Sequence, residues 1–270
     1  MISDDIFPLD RDFANALSER DYERAAEVLH RGADINRVIH RMETFDRDVV
    51  DETTSYLVDA ATAGDVEMVT FLLEHGADPN AAGSYSGRTA LLSATRFGHA
   101  GVVDLLLIHG ADVTTVDSYN GQNALGEAST MVNPAIVRSL LAAGARGSFR
   151  RLGFSLDGGA GAREVTRLLV EHGADINEVD DWGRTPLMWA AQYADPETVR
   201  YMIGLGADVN RVSEPNMNGI QSNENALGLA WARKRRDVAA VLLAHGACQV
   251  ASTRSPLPSF FTRVWERLTR

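Results

Sequence analysis

The chain of 270 residues has a single cysteine, Cys248, which rules out an internal disulfide framework. No apolar run approaches the ~18 residues that a membrane-spanning helix needs. The segment Met1-Ile2-Ser3-Asp4-Asp5 is acidic and lacks the charged-then-apolar pattern of a secretory signal. These absences lead to an expected cytoplasmic location. Catalytic and metal motifs are missing too. There is no His-Glu-x-x-His and no cysteine pair. Gly158-Gly159-Ala160-Gly161 resembles a phosphate loop only superficially, because no strand pattern precedes it and no Lys-Ser/Thr follows. The expectation is therefore no enzyme activity, no catalytic residue, no cofactor and no metal.

What is present is a recurring phrase, leucine-rich and closing on Gly-Ala-Asp. It reads Val28-Leu29-His30-Arg31-Gly32-Ala33-Asp34, then Leu72-Leu73-Glu74-His75-Gly76-Ala77-Asp78. Its glycines fall at positions 32, 76, 110, 144, 173, 206 and 246, spaced 44, 34, 34, 29, 33 and 40 apart. A period near thirty-three residues signals a solenoid, in which each repeat buries its apolar side against its neighbours. Within a repeat the pattern is two short helices and a turn. Thr185 is placed to cap a helix whose first turn holds Pro186, where a missing N–H costs nothing. Leu187, Ala190 and Ala191 then share one helical face. Val199, Met202 and Ile203 face inward from a second helix that Gly206 ends. Asp208 and Asn210 fall in the next turn, where they can bond its backbone.

Gly183-Arg184-Thr185-Pro186-Leu187-Met188-Trp189-Ala190-Ala191 and Gly87-Arg88-Thr89-Ala90-Leu91-Leu92-Ser93-Ala94 resemble the ankyrin repeat family, with weaker copies at Ser55–Ala61, Gly121–Leu125 and Asn225–Ala230. The resemblance runs roughly from Arg11 to Cys248. It implies an all-α ankyrin-repeat solenoid of about seven helix-turn-helix units in a repeat domain over 1–248; the residues of 249–270 read apart from it, as a tail with a short amphipathic C-terminal helix. It also implies that the turn tips and first-helix faces line a concave surface for protein partners. One departure is the family's histidine after Thr-Pro-Leu, whose place is taken by Leu92, Gly126, Met188 and Gly228. Local rigidity is expected to fall accordingly. The fifth repeat, 148–173, lacks the opening phrase. Its first helix is expected to hold Gly153, Gly158, Gly159 and Gly161 and to be short or irregular, because glycine costs roughly 1 kcal/mol per helical position.

Two insertions stand out, within Arg37–Thr53 and Val212–Asn223. They read either as binding loops or as tolerated loop extensions of small entropic cost. In the tail, Phe260, Phe261, Val264, Trp265 and Leu268 form one helical face opposite Arg263, Glu266, Arg267 and Arg270. A cap on the last repeat, a helix docking in a partner's groove and a basic segment on an anionic membrane all fit, the cap being favoured.

The chain carries a net charge of −11, of which the tail contributes +3 and the repeats −14. Such a body repels phosphate backbones, so nucleic acid is not an expected partner. It would speed encounter with a basic protein, or serve solubility alone. Four histidines, His75, His109, His172 and His245, share one slot before the helix-ending glycine, where an imidazole can cap the last carbonyls. The partner-binding candidates are Tyr85, Tyr119 and Asp181 at equivalent turn tips, Trp182 beside the last of these, and Phe97, Met131, Tyr193 and Arg233 in one aligned first-helix slot. Tyr, Trp and Arg are the types that dominate binding energy. The expected function is a non-enzymatic protein-interaction module, monomeric, gripping a basic partner as an inhibitor or adaptor. The alternative is a membrane-associated adaptor held by its tail.

Overall fold

The computed structural model describes residues 8–45, 48–83, 87–118, 121–149, 159–215 and 223–248, with side chains for 8–39 and for the described positions from 54 onward. The chain divides into two compact units between Arg146 and Gly147.

In the first unit, α1 (Pro8–Ser18) pairs with α2 (Tyr22–His30), and a hairpin of β1 (Val38–Phe45) and β2 (Asp48–Ser55) follows. Three helix pairs come next: α3 (Tyr56–Ala63) with α4 (Val66–Glu74), α5 (Ala90–Arg96) with α6 (Ala100–Ile108), and α7 (Ala124–Thr130) with α8 (Pro134–Ala142). The first helices α3, α5 and α7 stand in file, and α4, α6 and α8 form a second row behind them. The α1–α2 pair is tied to the file by aromatic contacts. Phe13 meets Tyr56 edge-on at 5.2 Å between ring centroids, and Tyr22 meets Phe71 at 5.1 Å.

The second unit repeats the plan with α9 (Ala160–Glu171), then α10 (Pro186–Tyr193) with α11 (Pro196–Gly204), and α12 (Ala226–Ala232) with α13 (Arg236–Ala244). Here α10 packs on α12, while α11 lies against both α9 and α13.

One local rule starts the first helices. Ser55, Thr89, Asn123, Thr185 and Asn225 are N-caps, and each side-chain oxygen accepts from the backbone N–H three residues on. The leucine two residues after each cap is buried, at 57, 91, 125, 187 and 227. Burying each such side chain contributes about 2 kcal/mol. Alanines fill the rest of that face: Ala60, Ala94, Ala128, Ala190 and Ala230 are all sealed from solvent, which lets neighbouring helices approach closely. On α11, Val199 and Met202 are buried as the pattern requires, while Ile203 is only half-buried. The helix-end histidines behave as their slot suggests. The Nδ1 atoms of His75, His109, His172 and His245 lie 2.8–2.9 Å from the carbonyl oxygens of Phe71, Leu105, Leu168 and Val241.

The repeats are joined by a division of labour in the Asp-x-Asn phrase that differs from its expected role. The aspartate closes its own turn: Asp208 Oδ1 accepts from Asn210 N at 2.8 Å. The asparagine instead reaches the next repeat. Asn210 donates to Gly246 O at 3.0 Å and accepts from Cys248 N at 2.7 Å. Asn36, Asn80 and Asn177 make the same two bonds to the repeats after them. A primary amide suits this task because it presents one donor and one acceptor side by side. Thr114 occupies the equivalent position after Asp112, and its hydroxyl turns back to that aspartate at 2.7 Å instead. A further bond between repeats comes from His99, whose Nε2 lies 3.1 Å from Thr62 O.

Two expectations are corrected. The first insertion is an antiparallel hairpin rather than a loop, with Val38 opposite Ser55 and Phe45 opposite Asp48. Its β-branched pairs Val49-Val50 and Thr53-Thr54 favour the extended backbone. In the fifth repeat, Gly159 caps α9 and Gly161 lies inside it, so both belong to the helix that Gly173 terminates and not to a first helix. The cap is secured from outside: Gly159 N donates to Asp195 Oδ2 at 3.0 Å. Gly153, Gly158 and the tail over 249–270 lie outside the described residues. So does most of the second insertion, residues 216–222.

Candidate functional site

The end of a first helix is where a side chain can leave the core, because the chain turns away there towards the second helix. Phe97, Met131, Tyr193 and Arg233 each lie eight residues after their N-cap, at that point. All four are exposed. The large apolar ones show 53% (Phe97), 57% (Met131) and 38% (Tyr193) of their surface, which is far more than their chemistry favours.

In the first unit the slot is a simple apolar edge. Phe97 lies beside His99 with centroids 6.4 Å apart, and Met131 projects one repeat further on. Between them Arg96 faces the largely buried Glu127 at 3.8 Å.

In the second unit the slot is supported from below. Tyr193 stacks on Trp189 with centroids 6.1 Å apart and rings 20° from parallel. Arg233, from the next repeat, lies 5.1 Å over the Tyr193 ring and donates from Nη2 to the phenol oxygen at 2.8 Å. Beneath, the Arg184 guanidinium lies 5.0 Å over Trp189 and pairs with Glu224 at 3.0 Å. Cations over aromatic faces contribute about 0.5–1 kcal/mol each at exposed sites, more when desolvated. The chain of contacts Arg184, Trp189, Tyr193, Arg233 therefore holds an exposed phenol in one orientation.

Asp180 anchors this arrangement. Its carboxylate is buried, and Oδ2 accepts from Trp189 Nε1 at 2.5 Å. Oδ1 accepts from the backbone amides of Trp182 and Arg184, both at 2.9 Å. Trp182, held by that turn, is 56% exposed, and Asp181 is half-buried beside it. Behind the turn, Asp195 caps α11 two residues after Tyr193. Burial opposes its ionisation, but the amides of Thr198 and Gly159, the Thr198 hydroxyl and Arg163 outweigh that and hold its carboxyl below the usual range. At neutral pH the cap is fully charged.

The structure thus brings Trp182, Tyr193 and Arg233 into one unit and Phe97 and Met131 into the other. Tyr85 and Tyr119 lie outside the described residues. Trp189, Asp180 and Arg184 were missed from sequence. Trp189 reads there as ordinary core, and the available signal was an aspartate three residues before a turn glycine with a tryptophan nine residues after it.

Charge is not spread evenly. Residues 1–146 carry 23 aspartates and glutamates against 11 arginines, whereas residues 147–270 carry 14 against 15 lysines and arginines. Of the −14 carried by the repeats, −12 lies in residues 1–146. Among the described residues no cluster of three His, Cys, Asp or Glu side chains is placed to hold a metal ion, and no helix is long and apolar enough to cross a membrane.

Helix pairs in file, hydroxyl or amide caps and amide-bridged turns define a scaffold of stacked helix-pair repeats. The family model for ankyrin repeats in three copies matches residues 16–117, 57–150 and 159–213, more than half of the chain, and the chain belongs to that family. Its repeats are protein–protein interaction modules. Protein phosphatase 1 regulatory subunit 27 of Mus musculus, and that of Homo sapiens, are each 47% identical over 49 residues, covering 18% of this chain and 32% of the relative. The chain thus spans about a third of the length of these curated relatives. Among solved structures, the human ASB11 ankyrin repeat domain is similar, with a TM-score of 0.62 and 25% identity over 91% of this chain and all of that one. A chain in the complex of the Bd0816 predatory endopeptidase from Bdellovibrio bacteriovorus with immunity protein Bd3460 gives 0.56 and 25%, over 71% of this chain and 98% of that one.

Proposed function

We propose that this chain is a non-catalytic recognition module that grips a protein partner through the exposed first-helix slot and the turn tips. The observation that carries the reading is Tyr193, an exposed aromatic fixed by Trp189 below and Arg233 above. A preorganised aromatic loses little freedom on binding, which is what makes Tyr and Trp effective anchors. Phe97, Met131 and Trp182 add exposed apolar surface, with Asp181 beside Trp182, and Tyr85 and Tyr119 join the proposed set on their sequence alignment alone. The carboxylates concentrated in residues 1–146 favour a partner that is basic where it meets that unit, raising the encounter rate. Inhibition of a basic enzyme or adaptor duty both follow from such a grip, and the immunity protein named in the similar complex supports the former. The module acts as a monomer within the cytoplasm on this reading.

Immobilised wild-type protein is expected to capture its partner from native extract. Phe97→Ala with Tyr193→Ala should weaken capture at least tenfold, while circular dichroism stays unchanged. Ile108, 78% exposed at the end of α6 and outside the slot, is the control: Ile108→Ala should capture like wild type. Equal capture by all three proteins would remove the slot from the binding surface.

A further inference from the structure

The turn between α12 and α13, with the first residue of α13, reads Arg233-Lys234-Arg235-Arg236, four consecutive cations in a chain of net charge −11, with Asp237 the next residue. Lys234 is the chain's sole lysine. Arg233, Lys234 and Arg236 are exposed and Arg235 is half-buried. Among the described residues none of the four forms an ion pair within 4.0 Å, and only Arg233 is engaged, with Tyr193. By contrast, Arg163, Arg167, Arg184 and Arg211 of this unit each face a carboxylate.

The position makes the cluster costly to the fold. Arg235 is the N-cap of α13 and makes no capping bond. Its backbone, φ −86° and ψ 80°, matches those of Asp21 (−87°, 81°) and Asp65 (−78°, 89°), whose carboxylates cap α2 and α4. An aspartate would fit at 235 as it does there. The chain instead carries a residue that leaves a helix-start amide without its cap and adds positive charge where the helix is already positive. A local rule broken without an internal gain marks a position kept for something outside the fold.

We propose that this turn is a docking surface for an acidic segment of a protein partner, rich in aspartate and glutamate. Guanidinium groups present paired donors that match a carboxylate, and unpaired ones at a surface retain that capacity. Tyr193, bonded to Arg233, extends the surface with an exposed ring. A short acidic peptide needs only this local patch, whereas an extended phosphate polyanion meets the repulsion of the whole chain. The inference goes beyond the recognition reading: it requires a partner whose charge is acidic where it meets the second unit, although the first unit favours basic surface.

The test uses the full chain and a fluorescent twelve-residue peptide of alternating Glu and Asp, with a neutral Gly-Ser peptide, a DNA duplex and phosphatidylserine vesicles as comparisons. The acidic peptide should bind more tightly than the other three, and Lys234→Glu/Arg235→Glu/Arg236→Glu should lower its affinity at least tenfold. Bound peptide should shield Lys234 from acetylation, read at that one lysine by mass spectrometry. The single variant Arg235→Asp should lower peptide affinity while raising the melting midpoint by about 2–4 °C, because it restores the cap. A merely structural arginine would lower both. Peptide binding unchanged in the triple variant, or DNA or vesicles binding as tightly as the peptide, would overturn the proposal. If partner capture still depends on Phe97 and Tyr193 in that event, the recognition reading stands and this inference alone falls.

Discussion

Gly183→Ala is expected to destabilise the second unit by about 3–5 kcal/mol, the largest effect of any single methyl in the described structure. Two costs add. Gly183 has φ +72°, a left-handed backbone that costs an L-residue roughly 1–2 kcal/mol. A Cβ there would also lie 1.9 Å from the carbonyl oxygen of Glu214 and 2.6 Å from its carbonyl carbon. Those are backbone atoms, and they are tied in place. Glu214 N donates to Gly183 O at 2.8 Å, and Ser213 N donates to Glu224 O at 2.8 Å. Relief would break the contact between the second insertion and the turn that carries Trp182. Gly206→Ala is the comparison. It has φ +98° but open space around the added carbon, so it should cost only the backbone term. Urea denaturation of both variants decides the matter, and a Gly183→Ala midpoint equal to that of Gly206→Ala would refute the clash.

Asp180→Ala should cost about 3 kcal/mol and disorder the aromatic support. The substitution removes the acceptor of three donors: the Trp189 indole N–H and the amides of Trp182 and Arg184. Each buried donor left unmatched costs about 1–3 kcal/mol, with partial rescue by water at the turn. Asp180→Asn keeps one carbonyl oxygen and should fall between alanine and wild type. Near-ultraviolet circular dichroism reports the tryptophan environment, and partner capture reports the site. The expected result is loss of both signals in Asp180→Ala before the helical signal at 222 nm changes. Retained capture in that variant would show that Trp189 and Tyr193 need no anchor.

The helical scaffold was largely legible in the sequence because its signals are local. A capping Thr or Asn, a leucine two residues later and a glycine after the second helix all act within one repeat, and Thr185, Leu187 and Gly206 occupy their expected places. Contacts between repeats were not legible. Asn210 reads as a turn residue, yet its amide binds Gly246 and Cys248, 36 and 38 positions away. Trp189 reads as core, yet its value lies in holding Tyr193, itself bonded to Arg233 40 positions on. The hairpin of β1 and β2 was hidden for another reason: a repeat period marks an insertion by its length alone and carries no signal for the backbone it adopts. The exposed slot was found because four chemically unlike residues share one distance from a cap, a regularity that composition cannot show.

Site-specific photo-crosslinking maps the partner-binding surface one position at a time. A benzophenone side chain placed at Phe97, Met131, Tyr193 or Ile108 samples one position each on the folded chain. Adducts with the captured partner are expected from positions 97, 131 and 193, and none from 108. Adducts from 108 with none from 193 would contradict it.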